Sequence, residues 1–237
     1  MNNKKIILEI GCGQGFSTFI RSKKKNTKII GTDLSKTEIK IAKERYPNVD
    51  FRVMNAEKLE FKNDSFDEVY AIEVLEHVNN IKKVLREISR VLKSGGKLIV
   101  SIPYHKSEKW LIKIRPTYFK EIHHVRIFKE NDLENFCKKE DLFVIRKKRT
   151  GFLQHIELYF LFKRNIKSNT QVSIGSWRDN IWTKTLHAGL LYFDPLVMDT
   201  PLKFFPIWIV LIPLGWFLNN LGSIYFPKSL YYEFIKK

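Results

Sequence analysis

Three glycines at alternate positions, Gly11, Gly13 and Gly15, interrupt a hydrophobic run near the start of the sequence. Because glycine has no Cβ, such a turn lets a ligand approach the backbone, and in open parallel sheets ligands bind beyond the carboxyl ends of the strands. The spacing is G-x-G-x-G, which differs from the dinucleotide-binding pattern G-x-G-x-x-G. The turn therefore favours a nucleotide-like ligand without identifying it.

A carboxylate, Asp33, follows about twenty residues later in the segment IIGTDLS. At the end of a second apolar run, an acidic side chain can accept hydrogen bonds from both hydroxyls of a ribose. The alternative is that Asp33 caps a helix that begins at Ser35 or Lys36. The residues alone leave both interpretations open.

The segments that position these residues alternate between short apolar runs and helical patterns, which predicts a parallel sheet with helices on both faces. A helix over residues 82–92 has a clear apolar stripe, and Gly95 and Gly96 are expected to end it. The last two strands, linked through Thr150 and Gly151, are expected to form an antiparallel hairpin. The predicted strands are residues 5–10, 28–32, 50–54, 66–72, 97–102, 142–148 and 153–162, and the predicted helices are residues 16–22, 36–45, 82–92 and 131–140.

Composition narrows the class of protein. The chain has 237 residues, of which 44% are hydrophobic, enough for a folded core. Its net charge of +17 leaves open a solvated lysine-rich surface or attraction to anionic lipids and phosphorylated substrates. The two cysteines, Cys12 and Cys137, predict a reducing compartment and no disulfide framework. No signal peptide precedes the first strand, so the amino-terminal domain is expected in the cytoplasm.

Four segments within residues 5–103 follow one another as the motifs of a known family do: ILEIGCGQG, GTDLS, NAEKLEFKNDSFDEVYAIEVLEHV and LREISRVLKSGGKLIVSIP. Together they resemble class I S-adenosylmethionine-dependent methyltransferases, of the small-molecule or lipid type similar to methyltransferase domains 11 and 23. The segment HHVRIFKENDLENFCKKEDLFVI is also similar to small-molecule members. The resemblance implies a Rossmann-like α/β fold with a seven-stranded, mostly parallel sheet in the order 3-2-1-4-5-7-6, in which strand 7 is antiparallel.

The resemblance also implies a cofactor, S-adenosylmethionine, with S-adenosylhomocysteine as product, and no metal. The implied binding residues are Glu9, Gly11, Cys12, Gly13 and Gly15 for the methionine end, Asp33 and Leu34 for the ribose and adenine face, Asn55, Ala56 and Glu57 for the adenine edge, and Glu73 for the methyl region. Family members often have Asp-Ala where this chain has Asn-Ala, so the adenine contact is expected to be weaker or differently made.

Three histidines are candidates for a catalytic base. Methyl transfer from a sulfonium needs alignment of the reacting atoms and exclusion of water, and a hydroxyl acceptor also needs a base. Histidine suits that role because its pKa lies near neutrality. His77 follows the fourth strand, whereas His123 and His124 lie in a segment expected to fold over the acceptor, with His123 slightly favoured. Loop capping is the alternative role for each.

The acceptor itself has few direct indications. Arg126 could bind an anionic acceptor, or pair with Glu121 or Glu130. Nucleic acid is disfavoured as a substrate because no RNA-binding module is evident in the sequence.

A second hydrophobic tract occupies residues 204–227, which contain no charged residue and are bracketed by Lys203 and Lys228. A helix of that length would span roughly 30 Å of hydrocarbon. Pro206 and Pro213 oppose a plain span, whereas the tryptophans and tyrosines favour a membrane interface. An interfacial or re-entrant element, a true span and a lid on the enzyme all remain open.

The sequence thus predicts two parts, a methyltransferase domain over residues 1–164 and a hydrophobic, mostly helical extension over residues 165–237. Family members usually carry one or two helices before the first motif, and here the extension is expected to cover the substrate side instead. Residues 186–232 would associate with the cytoplasmic membrane.

The favoured function is methylation of a lipophilic or lipid-linked acceptor at the cytoplasmic membrane face. A quinone, a glycolipid and a polyprenyl-linked saccharide are candidates, with oxygen preferred over carbon as the acceptor atom. Three alternatives remain: a soluble small-molecule methyltransferase with a C-terminal lid, a non-catalytic S-adenosylmethionine-binding protein, and a dinucleotide oxidoreductase.

Overall fold

The computed structural model describes residues 4–129, 131–151, 221–225 and 227–237. Seven strands and six complete helices lie in these ranges, and residues 221–225 are also helical. In chain order they are β1 (Lys5–Ile10), α1 (Phe16–Ser22), β2 (Thr27–Asp33), α2 (Lys36–Arg45), β3 (Asp50–Val53), β4 (Phe66–Ile72), α3 (Ile81–Val91), β5 (Leu92–Pro103), α4 (His105–Ile114), α5 (Tyr118–Glu121), α6 (Asp132–Lys138), β6 (Leu142–Thr150) and β7 (Ser229–Lys236).

The strands form one sheet in the order β3-β2-β1-β4-β5-β7-β6, with β7 antiparallel, which confirms the predicted Rossmann-like α/β fold and strand order. The central strand β1 is parallel to both β2 and β4, and its last residue, Ile10, pairs with Thr32 and with Ala71. The carboxyl ends of these three strands therefore meet at one edge of the sheet. Parallel α/β sheets bind ligands at that edge.

Helix α3 shows why the sequence folds in this way. Its apolar residues recur at helical spacing, and Val84, Leu85, Ile88 and Val91 are fully buried. Full burial of an aliphatic side chain contributes about 1.5–3 kcal/mol, so this stripe fixes the helix on the core. The predicted amphipathic helix is confirmed, with a shift of one residue at each end.

The position of β7 corrects a prediction. The hairpin predicted for residues 142–148 and 153–162 has its first strand in β6, but residues 153–162 lie outside the described residues. The seventh strand of the sheet is instead Ser229–Lys236, in which Leu230, Tyr232 and Phe234 alternate as buried side chains. The last residues of the chain therefore belong to the sheet, while the division proposed at residue 164 stays a prediction for residues 165–220.

The end of α3 also differs from the prediction. The helix ends at Val91, and the cap residue Leu92 is already extended, so Gly95 and Gly96 lie inside β5. Gly95 does adopt a left-handed φ of 73°, but the turn that it makes belongs to the strand. The helices α4 and α5, between β5 and α6, were not predicted from the sequence.

The chain divides into two compact units, Met1–Pro103 with His124–Lys148 and Tyr231–Lys237, and Tyr104–His123 with Arg149–Leu230. The first contains most of the sheet and its flanking helices. Among the described residues of the second, Arg115 pairs with Glu121 at 3.0 Å, and the backbone N–H of Tyr104 donates to the carbonyl of Lys228 at 2.8 Å. In the part of the chain that the structure describes, no helix is both long and apolar enough to cross a bilayer.

Candidate cofactor site

The glycine turn after β1 has the backbone that its sequence predicts. Gly13 has φ 50°, and a Cβ added there would meet only the Glu38 carboxylate, at 3.8 Å, so the space beside Gly13 is open. Gly15 has φ 83° and caps the N-terminus of α1. Left-handed φ values favour glycine, and the missing Cβ at Gly13 leaves room for a ligand against the backbone.

Asp33, the last residue of β2, ties the second strand to this turn. One carboxylate oxygen accepts from the backbone N–H of Gly13 at 2.9 Å, and the other accepts from the N–H of Ser35 at 2.9 Å. The N-cap of α2 is Ser35, whose hydroxyl accepts from the N–H of Glu38. Asp33 is therefore not the helix cap, and each of its oxygens retains a lone pair that could accept a ribose hydroxyl.

Glu9 places a second carboxylate under the turn, with only 2% of its surface exposed. Its Oε1 accepts from the hydroxyl of Ser17 and from the guanidinium of Arg21, both on α1. Its Oε2 is buried and has no hydrogen-bond partner among the described residues. Buried polar atoms are normally paired, so this oxygen fits a ligand that brings a donor, such as the amino group of a methionine moiety.

Cys12 lies within the turn, but its side chain points into the protein. It packs in a buried cluster with Ile39, Ala42 and Phe51. Burial, reinforced by the nearby charges of Asp33 and Glu9, raises the pKa of the Cys12 thiol. A protonated, buried thiol is inert, so Cys12 contributes its backbone to the turn rather than a reactive group.

The residues predicted to surround the adenine lie beyond β2 and β3. Leu34 is 70% exposed, which is unusual for a large apolar side chain at the end of a buried strand. Asn55 is exposed and accepts from the N–H of Glu57 at 2.8 Å, and Glu57 in turn accepts from the N–H of Asn80. Ala56 is half-buried between them. The exposed Leu34 side chain could contact the flat face of an adenine, and the polar loop from Asn55 to Glu57 could contact its edge.

Glu73 follows β4 at the same edge of the sheet. It adopts a left-handed φ of 53°, which is uncommon for a residue other than glycine. The hydroxyl of Ser101 donates to its carboxylate at 2.6 Å, and its backbone N–H donates to the carbonyl of Ser101 at 3.0 Å. The neighbouring strand β5 therefore holds both the carboxylate and the backbone of Glu73, whose left-handed backbone conformation is a feature frequent at functional sites.

The structure brings together two of the three candidate histidines. The rings of His77 and His124 lie edge to face with their centroids 4.7 Å apart, and both belong to the first compact unit. His123 is exposed, has φ 56°, and belongs to the second unit.

Arg126 is bound to backbone carbonyls and not to Glu121, one of the two acidic partners considered from the sequence. Its guanidinium donates to the backbone carbonyls of Val78 and Asn79, the latter at 2.8 Å, and burial lowers its pKa. Glu121 is paired with Arg115, and Glu130 lies outside the described residues. Arg126 therefore secures the loop after β4.

Several residues of the site were not identified from the sequence. Ser17 and Arg21 hold Glu9, and Ser101 holds Glu73. Arg21 is separated from Glu9 by the turn and most of α1, and Ser101 comes from another strand. The one signal that could have indicated Arg21 is that it is a basic residue in the first helix after Glu9, the acidic residue of the first motif.

Comparisons with known proteins agree with this geometry. Residues 8–100 match the family model described as a methyltransferase domain. The O-methyltransferase resE of Aspergillus sclerotiorum is 35% identical over 101 residues, which are 40% of this chain and 38% of that protein. The demethylmenaquinone methyltransferase of Chlorobaculum parvum is 31% identical over 116 residues, which are 49% and 48% of the two chains.

Among solved structures, a geranyl diphosphate methyltransferase in complex with S-adenosylmethionine has a TM-score of 0.63 at 14% identity and covers 100% of this chain and 80% of its own. That likeness concerns the fold alone. The chain spans about a third to a half of the length of the curated relatives it matches.

The site fits the cofactor of that family. The space beside Gly13 is open, and Oε2 of Glu9, which has no partner among the described residues, suits the amino group of the methionine part of S-adenosylmethionine. The lone pairs of Asp33 suit the ribose, and the exposed Leu34 suits the adenine. The predicted family and cofactor are confirmed. Residues 8–100 therefore match a methyltransferase domain, and the strand order of the sheet is that of class I S-adenosylmethionine-dependent methyltransferases.

Proposed function

We propose that the protein transfers the methyl group of S-adenosylmethionine to an oxygen of a lipophilic or lipid-linked acceptor at the cytoplasmic face of the membrane. Candidate acceptors are a quinone, a glycolipid and a polyprenyl-linked saccharide. The cofactor site supports the transfer, because it combines an open glycine turn with acceptors for the methionine and ribose parts. A dinucleotide oxidoreductase is disfavoured by the family match.

The observation that carries the lipophilic acceptor is the apolar tract. Residues 204–227 contain no charge in a protein whose net charge is +17. Where the structure describes the end of this tract, Leu221, Ile224 and Tyr225 are all at least 47% exposed. Apolar insertion and positive charge together strengthen attachment to an anionic bilayer, so the composition supports work at a membrane surface.

The preference for oxygen and for a lipophilic substrate is also supported by the relatives. One is named for O-methylation and another for a menaquinone precursor. An oxygen acceptor must lose its proton, and His123 remains the proposed base. The rings of His77 and His124 contact one another. His123 is exposed and lies in the segment that is expected to fold over the acceptor, which is why it is preferred as the base.

Labelled methyl transfer tests the proposal. Purified full-length protein is incubated with methyl-labelled S-adenosylmethionine and host membranes, and the products are extracted with organic solvent. The expected result is label in the organic phase. With S-adenosylmethionine held below its wild-type dissociation constant, the Asp33→Ala variant should give about tenfold less label or lower, because the proposed acceptor for the ribose hydroxyls is gone. The Asp50→Ala variant is the matched control, since Asp50 pairs with the exposed Arg52 on β3.

Each other outcome identifies a different function. Label found only in water-soluble products would contradict the lipophilic acceptor and favour a small-molecule methyltransferase. Binding of S-adenosylmethionine without any methylated product from membranes or extract would favour a non-catalytic protein. Undiminished label from the Asp33→Ala variant at the same low cofactor concentration would mean that the transfer does not use the proposed site.

A further inference from the structure

Three potential metal ligands meet beside the cofactor site, at Glu76, His77 and His124. One ligand atom from each, a carboxylate oxygen and two imidazole nitrogens, lies within 4.8 Å of the others. Glu76 is fully buried, His124 is half-buried, and His77 is exposed, so the cluster opens from the interior towards solvent. All three residues belong to the first compact unit.

Backbone hydrogen bonds fix the two segments that carry the cluster. The N–H of Val125 donates to the carbonyl of Glu76 at 3.0 Å, which sets His124 beside the loop after β4. The N–H of His77 donates to the carbonyl of Val74 at 3.0 Å and closes a turn in the same loop. Arg126 adds bonds to the carbonyls of Val78 and Asn79. Ligands held on braced backbone are already ordered, so little entropy is lost when they bind an ion.

The distances suit a first-row divalent ion after a small adjustment. Ligand atoms about 2.0–2.2 Å from one tetrahedral ion lie roughly 3.4 Å from each other. The largest possible separation, 4.8 Å, therefore needs to contract by about 1.4 Å. Rotation of the exposed His77 and the half-buried His124 can supply that movement, while the buried Glu76 stays in place.

The donor types indicate which cations would bind. Two imidazoles and one carboxylate are the ligand set of zinc sites with an open position and of non-haem iron centres, whereas calcium and magnesium prefer oxygen ligands throughout. Burial of Glu76 in a low-dielectric environment strengthens its attraction for a cation. The resemblance to the methyltransferase family implies no metal, and His124 lies 47 residues after His77, so the sequence does not reveal the cluster.

The geometry points to a divalent transition-metal site formed by Glu76, His77 and His124, with zinc(II) or iron(II) as the class of ion. Three protein ligands leave at least one coordination position for water or for an oxygen of another ligand. Two of its ligands, Glu76 and His77, lie on the loop that follows Glu73, and His124 comes from the segment between α5 and α6. Its existence does not depend on methyl transfer.

Cobalt(II) titration of the metal-free, full-length protein tests the site, because cobalt(II) occupies zinc sites and its visible absorption becomes stronger when protein ligands replace water and the ion becomes four- or five-coordinate. One equivalent is expected to bind, and a large excess of magnesium should not displace it. His77→Ala and His124→Ala are each expected to weaken the affinity by about tenfold or more, since even the loss of an outer hydrogen-bonding partner costs about 10–100-fold.

His123→Ala is the matched control, as it removes the adjacent imidazole that is outside the cluster, and its cobalt affinity should equal that of the wild type. His124→Gln keeps the side-chain size and serves if His124→Ala does not give the wild-type circular dichroism spectrum. Absence of any saturable binding of cobalt(II) by the wild type would overturn the proposal and leave a hydrogen-bonded cluster. Equal affinities of the wild type and the His124 variants would overturn it as well.

Discussion

Replacing Asp33 by alanine is expected to weaken the binding of S-adenosylmethionine roughly 10- to 150-fold. The carboxylate is the proposed acceptor for the ribose hydroxyls, and hydrogen bonds to a charged group contribute about 1.5–3 kcal/mol. Each 1.4 kcal/mol corresponds to about a tenfold change in the dissociation constant. The side chain also accepts from the N–H groups of Gly13 and Ser35, so its loss removes a support of the turn as well. Isothermal titration calorimetry of the full chain measures the change directly.

Asp50→Ala separates this effect from a general loss of negative charge. Asp50 begins β3, one strand away, and its carboxylate pairs with Arg52 in an exposed position. Exposed ion pairs of this kind contribute about 0–1 kcal/mol to the free energy of unfolding. Their loss should leave the fold intact, and cofactor affinity should therefore remain at the wild-type value. An unchanged affinity for Asp33→Ala would show that the ribose is bound elsewhere. Circular dichroism of both variants establishes that a loss of binding is not a loss of folding.

Local patterns in the sequence were enough to predict most of the domain. The bounds of α1 and α2 agree with their predictions, because a glycine turn precedes one helix and a serine cap precedes the other. The order of the strands followed from the resemblance to the family. These features depend on residues that are close in sequence, where hydrophobic period and turn chemistry carry the information.

The seventh strand could not be predicted in this way, because its partners in the sheet are distant in sequence. Two neighbouring apolar segments favour a hairpin, and the prediction therefore paired β6 with residues 153–162. The strand Ser229–Lys236 instead lies between β5 and β6. The ammonium group of Lys236 donates to the carbonyl of Leu92 on β5 at 2.7 Å. The alternation of Leu230, Tyr232 and Phe234 was a signal for this strand, but the apolar tract before it concealed that pattern.

The cofactor residues were predicted better than the groups that hold them. Gly13 and Asp33 come from motifs that retain their spacing, and the structure links them by a hydrogen bond. In contrast, Ser101 reaches Glu73 from a neighbouring strand, and His124 reaches His77 from beyond α5. Such partners are set by tertiary packing, which a motif does not record. Which of His77, His123 and His124 acts as the catalytic base remains a proposal for the same reason.

Replacing Gly15 by alanine is expected to lower the free energy of unfolding by about 2–5 kcal/mol. Gly15 has φ 83°, and the left-handed conformation costs an L-residue about 1–2 kcal/mol. A Cβ would also lie 2.4 Å from Cζ of Phe51, which is itself buried in the cluster with Cys12, Ile39 and Ala42. Overpacking of a filled core costs a further 1–3 kcal/mol, because the ring has nowhere to move. Urea denaturation of the full-length protein measures the loss.

Gly95→Ala is the control that separates the two contributions. Gly95 has φ 73°, but a Cβ there would meet nothing within 4 Å, so this variant should lose only the conformational part, about 1–2 kcal/mol. A difference of about 1–3 kcal/mol between the variants would measure the collision with Phe51. Equal losses would mean that Phe51 rotates away at no cost. Glycine would then be favoured at residue 15 only because of its left-handed φ, and the space beside it would accept a Cβ.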